Sequence, residues 1–123
     1  GWNAALISRL VGEEGKVYSV EIVQELAERA KEKLKNYKNI VVLNADASHG
    51  LAEYAPYSKI ILTAAPKKIA EEFREQLAEG GILLAPVGEY AQKLIKLTKK
   101  NNEFAEMENG DFLFVPLVSK TGD

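Results

Sequence analysis

Three apolar runs set the terms on which this chain can fold. Ile40-Val41-Val42-Leu43, Ile60-Ile61-Leu62 and Ile82-Leu83-Leu84-Ala85-Pro86-Val87 are continuous rather than alternating. A strand with one wet face alternates apolar and polar residues; a strand apolar at every position is covered on both faces, as in a parallel sheet. Helical patterns stand between the runs. Val23, Ala27, Ala30, Leu34 and Tyr37 step by four and three, with Ile22 and Leu26 beside them, which predicts an amphipathic helix. Its far face carries Glu25 with Arg29 and Glu32 with Lys35, spaced for ion pairs on an exposed surface. Strands alternating with amphipathic helices predict an α/β fold with a mostly parallel sheet.

The remaining segments fill this frame. Ala4, Ala5, Leu6, Ile7, Leu10 and Val11 have helical spacing, and Gly12 follows where a helix end takes a left-handed residue. Residues 17–20 read as a short strand ending at Glu21. Residues 54–57 contain Pro56 and read as irregular. Pro66 suits the opening of a helix with Ile69, Phe73 and Leu77 on its inner face, stopped by Gly80-Gly81. After Gly88, residues 94–98 and 112–117 flank a polar stretch with Asn101, Asn102, Asn109 and Gly110, which predicts an antiparallel pair closing the sheet edge. Residues 1–123 are read as a single domain.

Composition narrows the partners. Sixteen basic residues against eighteen acidic give a net charge of -2, with no basic excess to suit a nucleic acid or a membrane surface. The chain has no cysteine, which excludes disulfides, thiolate metal sites and cysteine nucleophiles and fits a reducing cytoplasm. Its one histidine, His49, argues against a histidine metal site or a Ser-His-Asp triad. No apolar run approaches the ~20 residues of a membrane span. The chain opens on Gly1, not Met, and runs directly into a helix, so it is expected to be processed or cut from something longer.

Ligands of doubly wound sheets bind beyond the carboxyl ends of the strands. The tips here are Glu21, then Asn44-Ala45-Asp46-Ala47, then Thr63-Ala64-Ala65. A carboxylate after the first βα unit can accept two hydrogen bonds from a ribose diol, and an acid one strand over can accept from an adenine amino group. Each acid alone reads equally as a helix cap or a solvated loop residue; their order favours a nucleoside. Gly1 fits the last glycine of a loop opening the helix from Trp2, whose free N–H groups suit an anion. Trp2 reads as packing on that helix or covering the ligand. His49, Tyr54 and Tyr57 read as loop residues.

The wording of the chain then becomes specific. Gly1-Trp2-Asn3-Ala4-Ala5-Leu6, Gly15-Lys16-Val17-Tyr18-Ser19-Val20-Glu21, Ala45-Asp46-Ala47-Ser48-His49-Gly50, Leu62-Thr63-Ala64-Ala65-Pro66, Gln76-Leu77 with Gly80-Gly81, Pro86-Val87-Gly88 and Phe114-Val115-Pro116-Leu117 resemble, in order, the motifs of the protein-L-isoaspartate O-methyltransferase family. The resemblance implies a Rossmann-like S-adenosylmethionine-dependent methyltransferase fold, mostly parallel with an antiparallel C-terminal strand and lacking the usual first strand. That strand is central in the family's sheet. Without it the strands around Val17 and Ile60 lose a shared neighbour, and self-association through exposed edges is expected.

The resemblance also implies S-adenosylmethionine as cofactor, and methyl transfer to the free carboxylate of L-isoaspartyl residues in damaged peptides or proteins. Glu21 would hold the ribose with Ile22 beside it, Asp46 and the Ala47 backbone the adenine, and Gly1, Trp2 and Asn3 the methionine end. Thr63 would also border the cofactor, and residues 63–66 and 88–92 the substrate cleft. The family's active-site residues lie upstream of Gly1, so no catalytic residue is assigned, and no metal is expected. Two departures bear on the site: Ala45 and Ala47 stand where the family has glycine, which predicts a changed loop backbone, and the Thr63 stretch is one alanine short. Two other readings stay open. The Glu21 and Asp46 segments also resemble RNA methyltransferases, and a truncated domain that only binds a partner through its open edge would carry the same residues.

Overall fold

A computed structural model of the chain describes residues 2–112, with side chains from Ala4 to Glu108. The chain divides into two compact units, Gly1–Ala47 and Ser48–Asp123.

The first unit is built from α1 (Trp2–Val11), β1 (Val17–Glu21), α2 (Gln24–Leu34) and β2 (Ile40–Asn44). The strands pair in parallel, from Val17 opposite Ile40 to Glu21 opposite Asn44. Ala4, Val17, Ala27, Leu34 and Val42 are buried together, with Ala5, Ile7, Ala30, Tyr37 and Ile40 packed around them. The expected apolar stripe of α2 supplies the core through Ala27, Ala30, Leu34 and Tyr37, whereas Val23 and Leu26, also expected on it, are exposed; Glu25–Arg29 and Glu32–Lys35 pair outside it at 2.9 and 2.6 Å. Helix α1 ends as expected at Gly12, whose φ of +76° is left-handed. Its last carbonyls are capped from across the unit: Asn39 Nδ2 donates to Ser8 O at 3.1 Å and Gly12 O at 3.0 Å, and Ser8 Oγ bonds Asn39 Oδ1. Leu6, Leu10 and Val11, by contrast, are exposed on α1.

The second unit holds a 3-10 turn at Ala52–Tyr54, then β3 (Tyr57–Ile61), α3 (Glu71–Gln76), β4 (Leu77–Val87), β5 (Gln92–Lys100) and β6 (Glu103–Phe112). Its sheet runs β3-β4-β5-β6, with β3 and β4 parallel and the later pairs antiparallel. Phe73, Leu77, Leu83, Ala85, Ile95 and Leu97 form the core. Pro86 is also fully buried. It lies two residues past Ile61–Leu84, the last β3–β4 pair, so its missing N–H breaks no rung of that ladder. Among the described residues β1 pairs only with β2, and β3 only with β4, so each strand keeps one open edge, as expected.

Two expectations are corrected here. The helix after β3 does not open at Pro66; it begins at Glu71 and ends at Gln76. The Pro66 carbonyl accepts from Gly88 N–H at 2.9 Å, which engages the segment with the exit of β4 instead of with a helical turn. At the other end Leu77 is extended (ψ 135°) and pairs with Tyr57, so it starts a strand. The glycines then sit inside β4 and not at a helix end: the step from Tyr57 to Lys59 on β3 is matched by the step from Leu77 to Ile82 on β4. Gly80, with φ +77°, absorbs that bulge. The second correction concerns β6, which starts at Glu103. The polar stretch expected as a loop is itself strand, joined to β5 by a two-residue turn in which Asn101 and Asn102 have φ of 54° and 60°. That is a type I′ hairpin, for which Asn is among the few suitable residues. Glu79 accepts from both turn N–H groups. The rest of the expected closing strand, residues 113–117, lies outside the described residues.

Leu83 is 0% exposed at the centre of the second core. Leu83→Ala is expected to cost about 2–5 kcal/mol in urea unfolding, the range for a buried leucine whose cavity collapses only in part.

Candidate nucleoside site

The parallel pairing of β1 and β2 brings the first two strand tips side by side. Glu21 is the register partner of Asn44, so Asp46 lies two residues beyond it on the neighbouring strand. Three hydrogen bonds lock the tips together. Ala45 N–H donates to Glu21 O at 3.1 Å; Asn44 Nδ2 donates to Glu21 O at 2.9 Å and to Ile22 O at 3.0 Å. Glu21 is also held through its side chain, since Val23 N–H donates to Oε1 at 3.1 Å. This realises part of the plainer reading of Glu21 as a local cap. A carboxylate has about four lone-pair sites, so one backbone donor both orients the group and leaves it acceptor capacity.

Glu21, Ile22, Asp46 and Ala47 are all half-buried at this end of the first unit. Neither Ala45 nor Ala47 has a positive φ, so the loop accommodates alanine by an ordinary backbone there. Thr63 is exposed and belongs to the second unit. Gly1 and the side chains of Trp2 and Asn3 lie outside the described residues.

The chain after Ala47 is tied down from two elements of the second unit. Gln76, 8% exposed on α3, accepts from Leu51 N–H at 2.8 Å through Oε1 and donates to His49 O at 3.3 Å through Nε2. Tyr57 donates its hydroxyl to Leu51 O at 2.5 Å. His49 Nδ1 meets Glu72 Oε2 at 3.2 Å, both side chains being about half exposed. The Glu72 carboxyl is held below its ordinary range, first by the backbone N–H at Glu72 and then by His49. Further along the same unit, residues 63–66 are joined to Gly88 by the Pro66 bond, and Lys67 faces Glu89 at 3.7 Å. The two segments expected to border one cleft are thus neighbours. Asn44 and Gln76 had no assigned role in the sequence reading. Their signal was an amide at the end of an apolar run and an amide beside Phe73 and Leu77 in a core-facing segment.

Among the described residues no group of acids and histidine is arranged to hold a metal ion, and no helix is long and apolar enough to cross a membrane. Parallel strands with helices between them, acids at adjacent tips and an antiparallel extension together define an α/β protein of the Rossmann-like class. Comparison with known proteins agrees and goes further. The family profile described as protein-L-isoaspartate(D-aspartate) O-methyltransferase matches residues 1–122. The chain is similar to the protein-L-isoaspartate O-methyltransferase of Methanosarcina mazei, with 45% identity over 99% of this chain and 51% of that protein. It is 44% identical to that of Methanococcus aeolicus, over 99% and 57%. A solved protein-L-isoaspartate O-methyltransferase superposes with a TM-score of 0.91 at 29% identity, over 99% of this chain and 40% of the other. A second, from Plasmodium falciparum and in complex with S-adenosyl-L-homocysteine, gives 0.77 at 25% identity, over 94% and 58%.

The chain belongs to the protein-L-isoaspartate (D-aspartate) O-methyltransferase family, and its fold is that of a Rossmann-like methyltransferase. It spans about half the length of the curated relatives it matches. The matches do not favour the RNA-methyltransferase or partner-binding alternatives.

Two outcomes follow from this geometry. Asn44→Ala removes both tip-locking bonds from Asn44 and is expected to cost about 1–2 kcal/mol in urea unfolding. The lowered Glu72 value means that its interactions stabilise the fold above the ordinary carboxylate range and are lost as pH falls through the lowered value. In His49→Ala an NMR titration of Glu72 is expected to show the midpoint rising only part of the way to the ordinary value, because the larger backbone contribution remains.

Proposed function

We propose that this chain forms the S-adenosylmethionine-binding part of an enzyme that methylates the free carboxylate of L-isoaspartyl residues in damaged proteins. The observation that carries the reading is the register of β1 and β2, which sets Glu21 beside Asn44 and two residues from Asp46 on adjoining tips. The donor set fits the ligand: the Glu21 carboxylate suits the ribose diol, and Asp46 with the Ala47 backbone suits the adenine edge. Ile22, half-buried beside Glu21, and Thr63 complete the described part of the proposed set, with Gly1, Trp2 and Asn3 at the methionine end.

S-Adenosylmethionine, when bound, supplies an activated methyl group on a sulfonium. The acceptor carboxylate is already an anion at neutral pH, so no strong base is required of the chain. What the protein contributes is alignment, where effective molarity is worth ~7–11 kcal/mol. Glu21, fixed by Val23 N–H and the Asn44 bonds, is suited to hold the nucleoside end still. The partners in this reading are isoaspartyl peptides or proteins, without nucleic acid or membrane. Self-association through the open edges of β1 and β3, and a cytoplasmic location, belong to the same proposal.

Calorimetric titration with S-adenosylhomocysteine tests it. Saturable binding is expected, weakened about tenfold or more in Glu21→Ala and in Asp46→Ala, the scale of losing a hydrogen bond to a charged group. Affinity unchanged in both variants would remove the site from the strand tips.

A further inference from the structure

The segment after Ala47 is held by a contact that the nucleoside reading does not use. The Gln76 amide is buried on α3, yet it bonds nothing on its own helix; it spans the backbone of residues 49–51, accepting from Leu51 N–H and donating to His49 O. A primary amide can pair in this way with the N–H and C=O that flank one residue, much as a neighbouring strand would. Glutamate lacks the donor, lysine lacks the acceptor, and an aliphatic side chain lacks both.

The residue so spanned is Gly50. Its φ of +80° is left-handed, and a Cβ there would stand 2.1 Å from Gln76 Oε1. That oxygen is the far end of a side chain that could ordinarily swing aside. Here its two hydrogen bonds hold it, so glycine and glutamine form one fitted pair. Tyr57 on β3 bonds Leu51 O from a second direction. An apolar residue at position 76 would fill the space beside Phe73 and Leu77 without any polar atom to satisfy. A buried amide in that place is explained by the backbone it holds.

We infer that Gln76 is a positioning residue for nucleoside binding: by fixing residues 49–51 it restrains the chain that leads out of Asp46 and Ala47, so that the ligand does not have to order this loop itself. The inference rests on the proposed role of Asp46 and Ala47, and the experiment separates the two. Gln76→Met, nearly isosteric and unable to pair, and Gln76→Glu, which keeps the acceptor for Leu51 N–H, are titrated with S-adenosylhomocysteine and with adenosine. Phe73→Leu, which weakens the same helix through the core alone, is the control. Amide exchange at Leu51 and Leu97 is followed in each.

The expected result is an affinity about tenfold lower for both ligands in Gln76→Met, equivalent to about 1.4 kcal/mol, with a smaller loss in Gln76→Glu. Leu51 exchanges faster in Gln76→Met while Leu97 stays protected, and Phe73→Leu binds as the parent chain does. In the parent chain Leu51 exchange slows further when S-adenosylhomocysteine binds, a measurement that stands even if a variant fails to fold. Unchanged affinity in folded Gln76→Met would overturn the positioning role and leave the nucleoside site intact. A parent chain that binds neither ligand overturns the nucleoside site itself, and the positioning role with it.

Discussion

Everything at the proposed nucleoside site hangs on the five-residue parallel ladder between β1 and β2. Two parallel strands present their tips at the same end, which brings Glu21 and Asn44 side by side. Slipping the register would carry Glu21 away from Asn44 and turn the slipped strand's core residue, Val17 on β1 or Val42 on β2, to the other face. Packing and the placement of the two tips are therefore set by the same ladder. Asn44 closes it by reaching past the last rung to the carbonyls of Glu21 and Ile22. Its amide continues the strand pairing beyond the point where backbone alone can do so.

The first unit could be read from its sequence because each signal there was local. The apolar stripe of α2, the left-handed Gly12 and the continuous run at Ile40 all act within a few residues of themselves. The second unit was harder because its decisive contacts are distant. Nothing near Pro66 announces that its carbonyl will take the Gly88 N–H, or that Leu77 will pair with Tyr57 before a longer helix can form. Strand β6 was hidden by charge: Glu103, Glu106 and Glu108 lie on an outer strand that buries little, and an acid-rich segment gives no apolar pattern to detect.

The site was legible in the same uneven way. The placement of Glu21 and Asp46 at adjoining strand tips could be read because tips follow from strands, and strands from apolar runs. The residues that hold them could not. Asn44 and Gln76 act through backbone atoms, and a side chain that binds backbone is insensitive to the identity of the residue it binds. Ala45 and Ala47 show the converse. Their departure from glycine predicted a changed loop, and the structure carries both at ordinary backbone angles.

The turn at Asn101 and Asn102 has a consequence for the order in which the second unit assembles. It closes the β5–β6 ladder across two residues, whereas β3 must wait for the whole segment through α3 before Tyr57 can find Leu77. Closure entropy rises with the length enclosed, and a hairpin forms in about 1–10 μs. The β5–β6 hairpin, basic on β5 and acidic on β6, is thus expected to offer the first edge on which β4 can grow, with the parallel pairing formed later. Substitutions at Asn101 should then slow folding with little effect on unfolding, while those at Tyr57 should mainly speed unfolding.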